Sequence, residues 1–282
     1  PLRFATAADA AGNTEYTDGT DVTGNVTTIT VPHNAPDTLY YYCNVHNGMG
    51  NSISVTTDET KADPYAWKNV LALPLVGSSA DVSNSVNSGS TTKTITVSGA
   101  AADSSDSNFY NGSFVFDGSN DQLSCAASAD FNFGSSDFTL EAWLNMDTIG
   151  SSQAISEISG QSSASSPYGQ WYFSTSTGWQ WYHSSSNYAI ITKDKVPTNK
   201  WFHLALVRNG NTLKHYLDGV EQGSSSYTRT DAGKSDAAWI IGQQNSSSYF
   251  DGHIQDYRIY NGVAKYTSNF IPASTNPDIL PD

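Results

Sequence analysis

The sequence predicts an all-β chain whose main body is a two-sheet sandwich or jelly roll. Three observations carry that expectation. Short segments of alternating apolar and polar residues recur along the chain. Asp-Gly and Asn-Gly turns separate many of them. No long segment shows helical periodicity. Composition agrees: aromatics reach 12%, with 16 Tyr and 7 Trp, while only 14% of residues are charged. That profile suits sheets with polar outer faces and aromatic inner faces.

Taken in order, the alternating segments begin at Val26-Thr27-Thr28-Ile29-Thr30-Val31, followed by a strand at Tyr40-Tyr41-Tyr42. Thr94-Ile95-Thr96-Val97 alternates next, and Phe114-Val115-Phe116 runs into the turn dipeptide Asp117-Gly118. From Phe138 to Leu144, Phe138, Leu140, Ala142 and Leu144 alternate against Thr139, Glu141 and Trp143. Trp171-Tyr172-Phe173 and Trp179-Gln180-Trp181-Tyr182-His183 form an aromatic hairpin. Trp171, Phe173, Trp179 and Trp181 share one face, the core face, and Tyr172, Gln180 and Tyr182 the other. The clearest hairpin joins Trp201–Arg208 to Thr212–Leu217 through Asn209-Gly210-Asn211, and Asp218-Gly219 turns the chain again. Ala238–Gly242 and His253–Tyr260 complete the set.

A polar, charged stretch ending in Pro64 reads as a linker. The expected organisation is a small β piece over 1–57, a linker over 58–64, a large β domain over 65–272 and an extended tail over 273–282.

The net charge of −14 argues against nucleic acid and against an anionic membrane surface, both of which need clustered Lys and Arg. No apolar run approaches the roughly 20 residues that span a bilayer, so membrane insertion is not expected. No signal peptide is recognised, and Pro1 at the start suggests a processed or trimmed chain. The two cysteines, Cys43 and Cys125, fall in different expected domains.

In the small piece, Cys43, His46 and Met49 place a thiol, an imidazole and a thioether within seven residues. Soft sulfur ligands with imidazole are the set a type 1 copper site uses, but such a site needs a second histidine. The earlier candidate, His33, lies in a turn leading directly into the Tyr40 strand, the wrong place. The spacing resembles the ligand loop of the cupredoxins. That resemblance implies the C-terminal part of a cupredoxin-like β domain with missing earlier strands. Three readings stay open: a copper site completed before Pro1, a scaffold without metal, or a free buried cysteine.

The large domain carries a second resemblance. Its blocks, in order, are Asp63–Val70, Phe116–Leu123, Phe138–Leu144, Trp201–Arg208 with Leu217-Asp218-Gly219, Ile241-Gly242 with Phe250–Tyr260, and Gly262–Phe270. Together they resemble a laminin-G-like, concanavalin-A-like lectin jelly roll of the pentraxin type. The resemblance implies carbohydrate binding, often with calcium. Calcium ligands would be Asp117, Asn120 and Asp121 in the Asp-Gly turn, joined by Asp256, since calcium takes hard oxygen ligands. One departure is Gln255, where the family often has a carboxylate. Glu141 and Arg258 read as a structural ion pair. Glycosidases of similar fold need two carboxylates at alternating positions, and position 143 is Trp143, so hydrolysis is not expected.

Sugar sites combine aromatic platforms with amides and carboxylates. Tyr172, Tyr182, Tyr188, Gln243 and Asn245 are therefore the expected carbohydrate contacts. The pairing of a cupredoxin-like strip with a laminin-G-like domain resembles proteins of marine bacteriophages and bacteria. It implies a non-enzymatic adhesin on a cell or virion surface, extracellular, binding polysaccharide as a homo-oligomer such as a trimer. A ligand-free structural decoration protein and a copper electron-transfer module are the alternatives.

Overall fold

The computed structural model describes residues 2–8, 15–17, 20–29, 36, 38–46, 48–55, 63–158, 169–244 and 247–272. The chain divides into two compact units, Pro1–Asp58 and Glu59–Asp282.

The first unit contains β1 (Leu2–Ala5), β2 (Thr20–Thr23), β3 (Val26–Ile29), β4 (Thr38–Cys43) and β5 (Gly50–Ser54). β4 lies between β1 and β5, while β2 and β3 form a separate hairpin. Among its described residues the buried apolar ones are Phe4, Ala5 and Leu39. The three tyrosines of β4 are half-buried strand residues. Val26 is 65% exposed, so the β2–β3 hairpin has no buried apolar face to anchor it.

The second unit is a two-sheet sandwich. Its strands are β6 (Asn69–Leu73), β7 (Ile95–Ser98), β8 (Ala101–Asp103), β9 (Ser113–Asp117), β10 (Gln122–Cys125), β11 (Asn132–Gly134), β12 (Phe138–Met146) and β13 (Gln153–Ile158). There follow β14 (Gln170–Ser174), β15 (Gly178–His183), β16 (Ser186–Thr192), β17 (Trp201–Asn209), β18 (Thr212–Leu217), β19 (Val220–Ser226), β20 (Ala232–Gly233), β21 (Trp239–Ile241) and β22 (Asp251–Asn261). One sheet has seven strands in the order β16-β15-β14-β13-β21-β10-β7. The other has eight, β19-β18-β17-β12-β22-β9-β8, with β6 also pairing with β22. This is the all-β jelly roll that the alternating pattern predicts.

Alternation decides which side chains fill the space between the sheets. From β12, Phe138, Leu140, Ala142, Leu144 and Met146 point inward and are fully buried. From β14 and β15 the inward set is Trp171, Phe173, Trp179 and Trp181, all fully buried. Turn chemistry fixes the register. Asp218 and Gly219 both have positive φ, 48° and 75°, as a two-residue I′ turn requires. Gly219 also meets the returning chain: a Cβ there would lie 1.9 Å from the Phe270 carbonyl oxygen. The segment after β22 thus lies over the outer face of β17 and β18, where Tyr266 and Phe270 pack on Ala205, Val207 and Tyr216.

Buried indoles need hydrogen-bond partners. Trp171 Nε1 donates to His215 Nε2 at 2.7 Å, which leaves the His215 proton on Nδ1, facing the Ala189 carbonyl. Trp181 Nε1 donates to the Tyr227 hydroxyl at 3.1 Å, and that hydroxyl lies 2.5 Å from His183 Nδ1. Trp239 Nε1 donates to the Tyr257 hydroxyl at 2.9 Å. Burial pushes both His183 and His215 down to about 4.

The two histidines are therefore neutral when folded but protonate near 6.5 when unfolded. Below that pH the unfolded chain binds more protons, so stability is full above about 6.5 and declines as pH falls toward 4. The urea midpoint of the second unit is expected to drop progressively from pH 7 through 5.5 to 4.5. A midpoint constant over that range would contradict the buried neutral pair.

Candidate functional site

The outer face of the seven-stranded sheet carries polar residues in register. Glu157 opposes Gln170, Gln170 opposes Tyr182, and Tyr182 opposes Asn187, one row across β13, β14, β15 and β16. Beside it, Tyr172 opposes Gln180. Tyr172 and Tyr182 are thus diagonal neighbours on one face, within reach of a single ligand. Both are half-buried.

A chain of amides backs the two rings. Gln244 donates to Gln170 Oε1 at 2.6 Å, and Gln170 donates to Glu157 Oε2 at 3.3 Å. Thr177 donates to Gln180 Oε1 at 2.7 Å. Gln243 is buried, and its Oε1 has no hydrogen-bond partner among the described residues. Gly169 makes the start of β14 possible, because a Cβ there would lie 2.0 Å from the Trp181 ring.

The expected sugar contacts fare differently. Tyr172 and Tyr182 share the outer face, while Gln243, two residues past the end of β21, is buried. Tyr188 does not join them. The β15–β16 register shifts between Trp179 and Trp181, Ala189 adopts φ 50°, and Tyr188 pairs with Trp181 on the core side. There it packs edge-on against Tyr227 at 4.9 Å. Asn245 lies outside the described residues. Gln170 and Glu157 were not anticipated as site residues, although extending the alternation one step back from Tyr172 would have found Gln170.

The calcium set does not converge. Asp117 Oδ1 accepts from the Ser119 and Asn120 amides, and Asp121 Oδ2 accepts from the Asp117 amide at 2.9 Å. The strand register brings Asp251, not Asp256, opposite Asp117. Asp256 lies five residues further along β22, where both its oxygens face Arg258. Among the described residues, no group of three or more His, Cys, Asp or Glu is placed to hold a metal ion.

On the outer face of the eight-stranded sheet the structure assembles a charged cavity of about 290 Å³. Glu141 opposes Arg258 in register, with 3.8 Å between Glu141 Oε1 and Arg258 Nη1. A bulge follows: β22 gains one residue against β12 between Glu141 and Trp143, and Asp256 takes φ 54°. Asp256 then grips Arg258 through two hydrogen bonds, the Nε one at 2.7 Å. Lys265 Nζ reaches Glu141 at 2.8 Å and Asp63 at 3.0 Å. Tyr266 donates to Glu141 Oε2 at 2.7 Å. Burial alone would raise Glu141, but the Lys265 and Arg258 charges outweigh it and hold the carboxyl at about 2. Burial raises Asp256, and Arg258 only partly offsets it. The expected Glu141–Arg258 pair is thus one contact in a larger network.

In the first unit, Cys43 Sγ lies 3.5 Å from His46 Nδ1, and the Cys43 amide donates to the Met49 carbonyl at 2.9 Å. The loop closes, but Met49 is 58% exposed. His33 lies outside the described residues. The described donors therefore fall short of a type 1 copper set, which needs two imidazoles with the thiolate. Cys43 and Cys125 are both free thiols.

Residues 116–265, more than half of the 282-residue chain, match the sequence signature of the concanavalin A-like lectin/glucanases superfamily. Usherin of Mus musculus is 27% identical over 169 residues, spanning 51% of this chain and 3% of usherin. Domain 4 of AbnA, a GH43 extracellular arabinanase from Geobacillus stearothermophilus, is solved in complex with arabinotriose. It superposes with a TM-score of 0.51 at 17% identity, covering 70% of this chain and 94% of that one. The ligand binding domain of botulinum neurotoxin serotype D, in complex with N-acetylneuraminic acid, gives 0.54 at 15% identity. That likeness covers 72% of this chain and 50% of the toxin chain. At these identities both structures are alike in fold alone.

The amides of Val45 and His46 and the His46 ring lower the Cys43 thiol to about 7. Alkylation by iodoacetamide is expected to rise with pH through a midpoint near 7 at Cys43. Cys125, which burial pushes up to about 12, is expected to stay inert while folded. Peptide mapping checks both; a Cys43 midpoint near the ordinary thiol value would contradict the loop geometry.

Proposed function

The chain belongs to the concanavalin A-like lectin/glucanase superfamily, and from that premise we propose that its jelly roll is a non-enzymatic carbohydrate-binding module. The observation that carries the reading is the outer face of β14 and β15. Two half-buried tyrosines stand diagonally there, backed by the hydrogen-bonded series Gln244, Gln170 and Glu157. Aromatic rings offer apolar faces to the C–H side of a sugar, and the half-buried Gln244 amide meets its hydroxyls, held in place by the buried Gln170 and Glu157 behind it. Arabinotriose and N-acetylneuraminic acid in the two solved relatives lend support from the same fold.

At this outer face the carboxylates favour binding over hydrolysis. The row holds Glu157 beside glutamines, whereas glycoside hydrolysis needs two carboxyl groups flanking the scissile bond. A net charge of −14 favours uncharged glycans over anionic ones. Single sites of this kind are weak, in the millimolar range at about −4 kcal/mol, and linked copies raise avidity without new contacts. The setting we propose for such a module is extracellular, as a homo-oligomeric adhesin on a cell or virion surface.

A glycan array, run with calcium and with a chelator, tests this. Binding to at least one uncharged polysaccharide is expected in at least one arm. Tyr182→Ala is expected to weaken it by about tenfold, equivalent to ~1.4 kcal/mol. Silence on the array in both arms would support the decoration role instead.

A further inference from the structure

The cavity over the eight-stranded sheet has chemistry of its own, on the opposite side of the sandwich from Tyr172 and Tyr182. We propose that it is a second binding site, shaped for a single uncharged sugar residue. Four observations lead there.

Its volume, about 290 Å³, is at the lower end of ligand pockets, the size for one ring rather than a chain. Its walls include Tyr65, Trp143 and Tyr266. Trp143 is half-buried and held edge-on by Phe109 at 5.8 Å and His203 at 5.3 Å. An indole fixed in this way offers a preorganised apolar wall.

The charges exclude an anion. Asp63, Glu141 and Asp256 oppose Arg258 and Lys265, and burial keeps His203 neutral, pushing it down to about 4. Both cations are engaged by carboxylates: Arg258 by Asp256, Lys265 by Glu141 and Asp63. An incoming phosphate or carboxylate would compete with those carboxylates in a lining that carries one excess negative charge.

His203 supplies the specific signal. It lines the cavity and is only 5% exposed, yet its Nδ1 has no hydrogen-bond partner among the described residues. Its Nε2 lies 3.7 Å from Glu141 Oε2, so the proton of the neutral ring belongs on Nε2, toward the carboxylate. Nδ1 is shut off from the cavity, but Nε2 at 3.7 Å from Glu141 Oε2 is too far for a direct hydrogen bond, so a ligand hydroxyl can accept from Nε2 and donate to the carboxylate. The Asp256 oxygens, each already accepting from Arg258, keep lone pairs for a second hydroxyl. A neutral ring bearing several hydroxyls and an apolar C–H face satisfies every part of this lining.

The test uses the full chain with ¹⁵N-labelled tryptophan. Methyl glycosides of glucose, galactose, mannose and N-acetylglucosamine are titrated to about 10 mM, within the millimolar range of single lectin sites. At least one is expected to shift the Trp143 indole resonance. The shift is expected to persist in Tyr182→Ala and to fall at least fivefold in His203→Phe. Should His203→Phe fail to give a dispersed spectrum, Trp143→Leu replaces it, with loss of ligand saturation-transfer signal as the readout. No Trp143 shift with any of the four glycosides overturns the proposal. So does a shift abolished by Tyr182→Ala, which would assign the signal to the other face. The outer-face reading fails separately, by silence on the polysaccharide array.

Discussion

Burial of Trp171, Phe173, Trp179 and Trp181 is the constraint on which the jelly roll and its outer surface both depend. Side chains alternate along a strand, so a one-residue slip of β14 or β15 would turn that strand's two rings into water. Each ring would forfeit at least about 2 kcal/mol on the scale of large apolar side chains. The indole hydrogen bonds sharpen the choice. Trp171 reaches His215 and Trp181 reaches Tyr227, two bonds that a slipped register would break. With the register fixed inward, the outward residues are fixed as well. Tyr172, Tyr182, Gln170 and Gln180 stand in their row because the tryptophans stand in theirs.

The opposite sheet solves a different problem. The segment after β22 must be held against the outer face of β12, β17 and β18. Apolar contacts do part of this through Tyr266 and Phe270. The rest is ionic, with Lys265 clamped between Glu141 and Asp63 and Arg258 between Asp256 and Glu141. Breaking a buried pair of this kind leaves an unpaired charge, typically costing about 3–5 kcal/mol. Such a network fixes geometry tightly, which is also what a small ligand pocket requires.

Much of this was legible in the sequence because alternation and turn chemistry are local. The inward Phe138, Leu140, Ala142 and Leu144, the tryptophan face and the Asp218-Gly219 turn all follow from residues within a few positions of one another. Places where local rules bend were misread. Tyr188, an expected sugar contact, is turned toward the core by a register shift beside Ala189. Asp256 was grouped with the Asp117 turn, but the bulge in β22 aims it at Arg258. The cavity was out of reach altogether. Asp63, Glu141 and Lys265 meet across most of the chain, and nothing local marks that meeting. Cys43 and His46 were found near each other because three residues separate them, whereas a further ligand depends on parts of the chain that no local pattern locates.

The central claim is that burial on one face of β14 and β15 commits the other to sugar recognition. A crystal structure of the chain with an oligosaccharide selected from the array tests it most directly. The prediction is a sugar ring over Tyr172 or Tyr182, with a hydroxyl bonded to the half-buried Gln244. Density for a bound oligosaccharide that leaves both tyrosines and Gln244 untouched would contradict it.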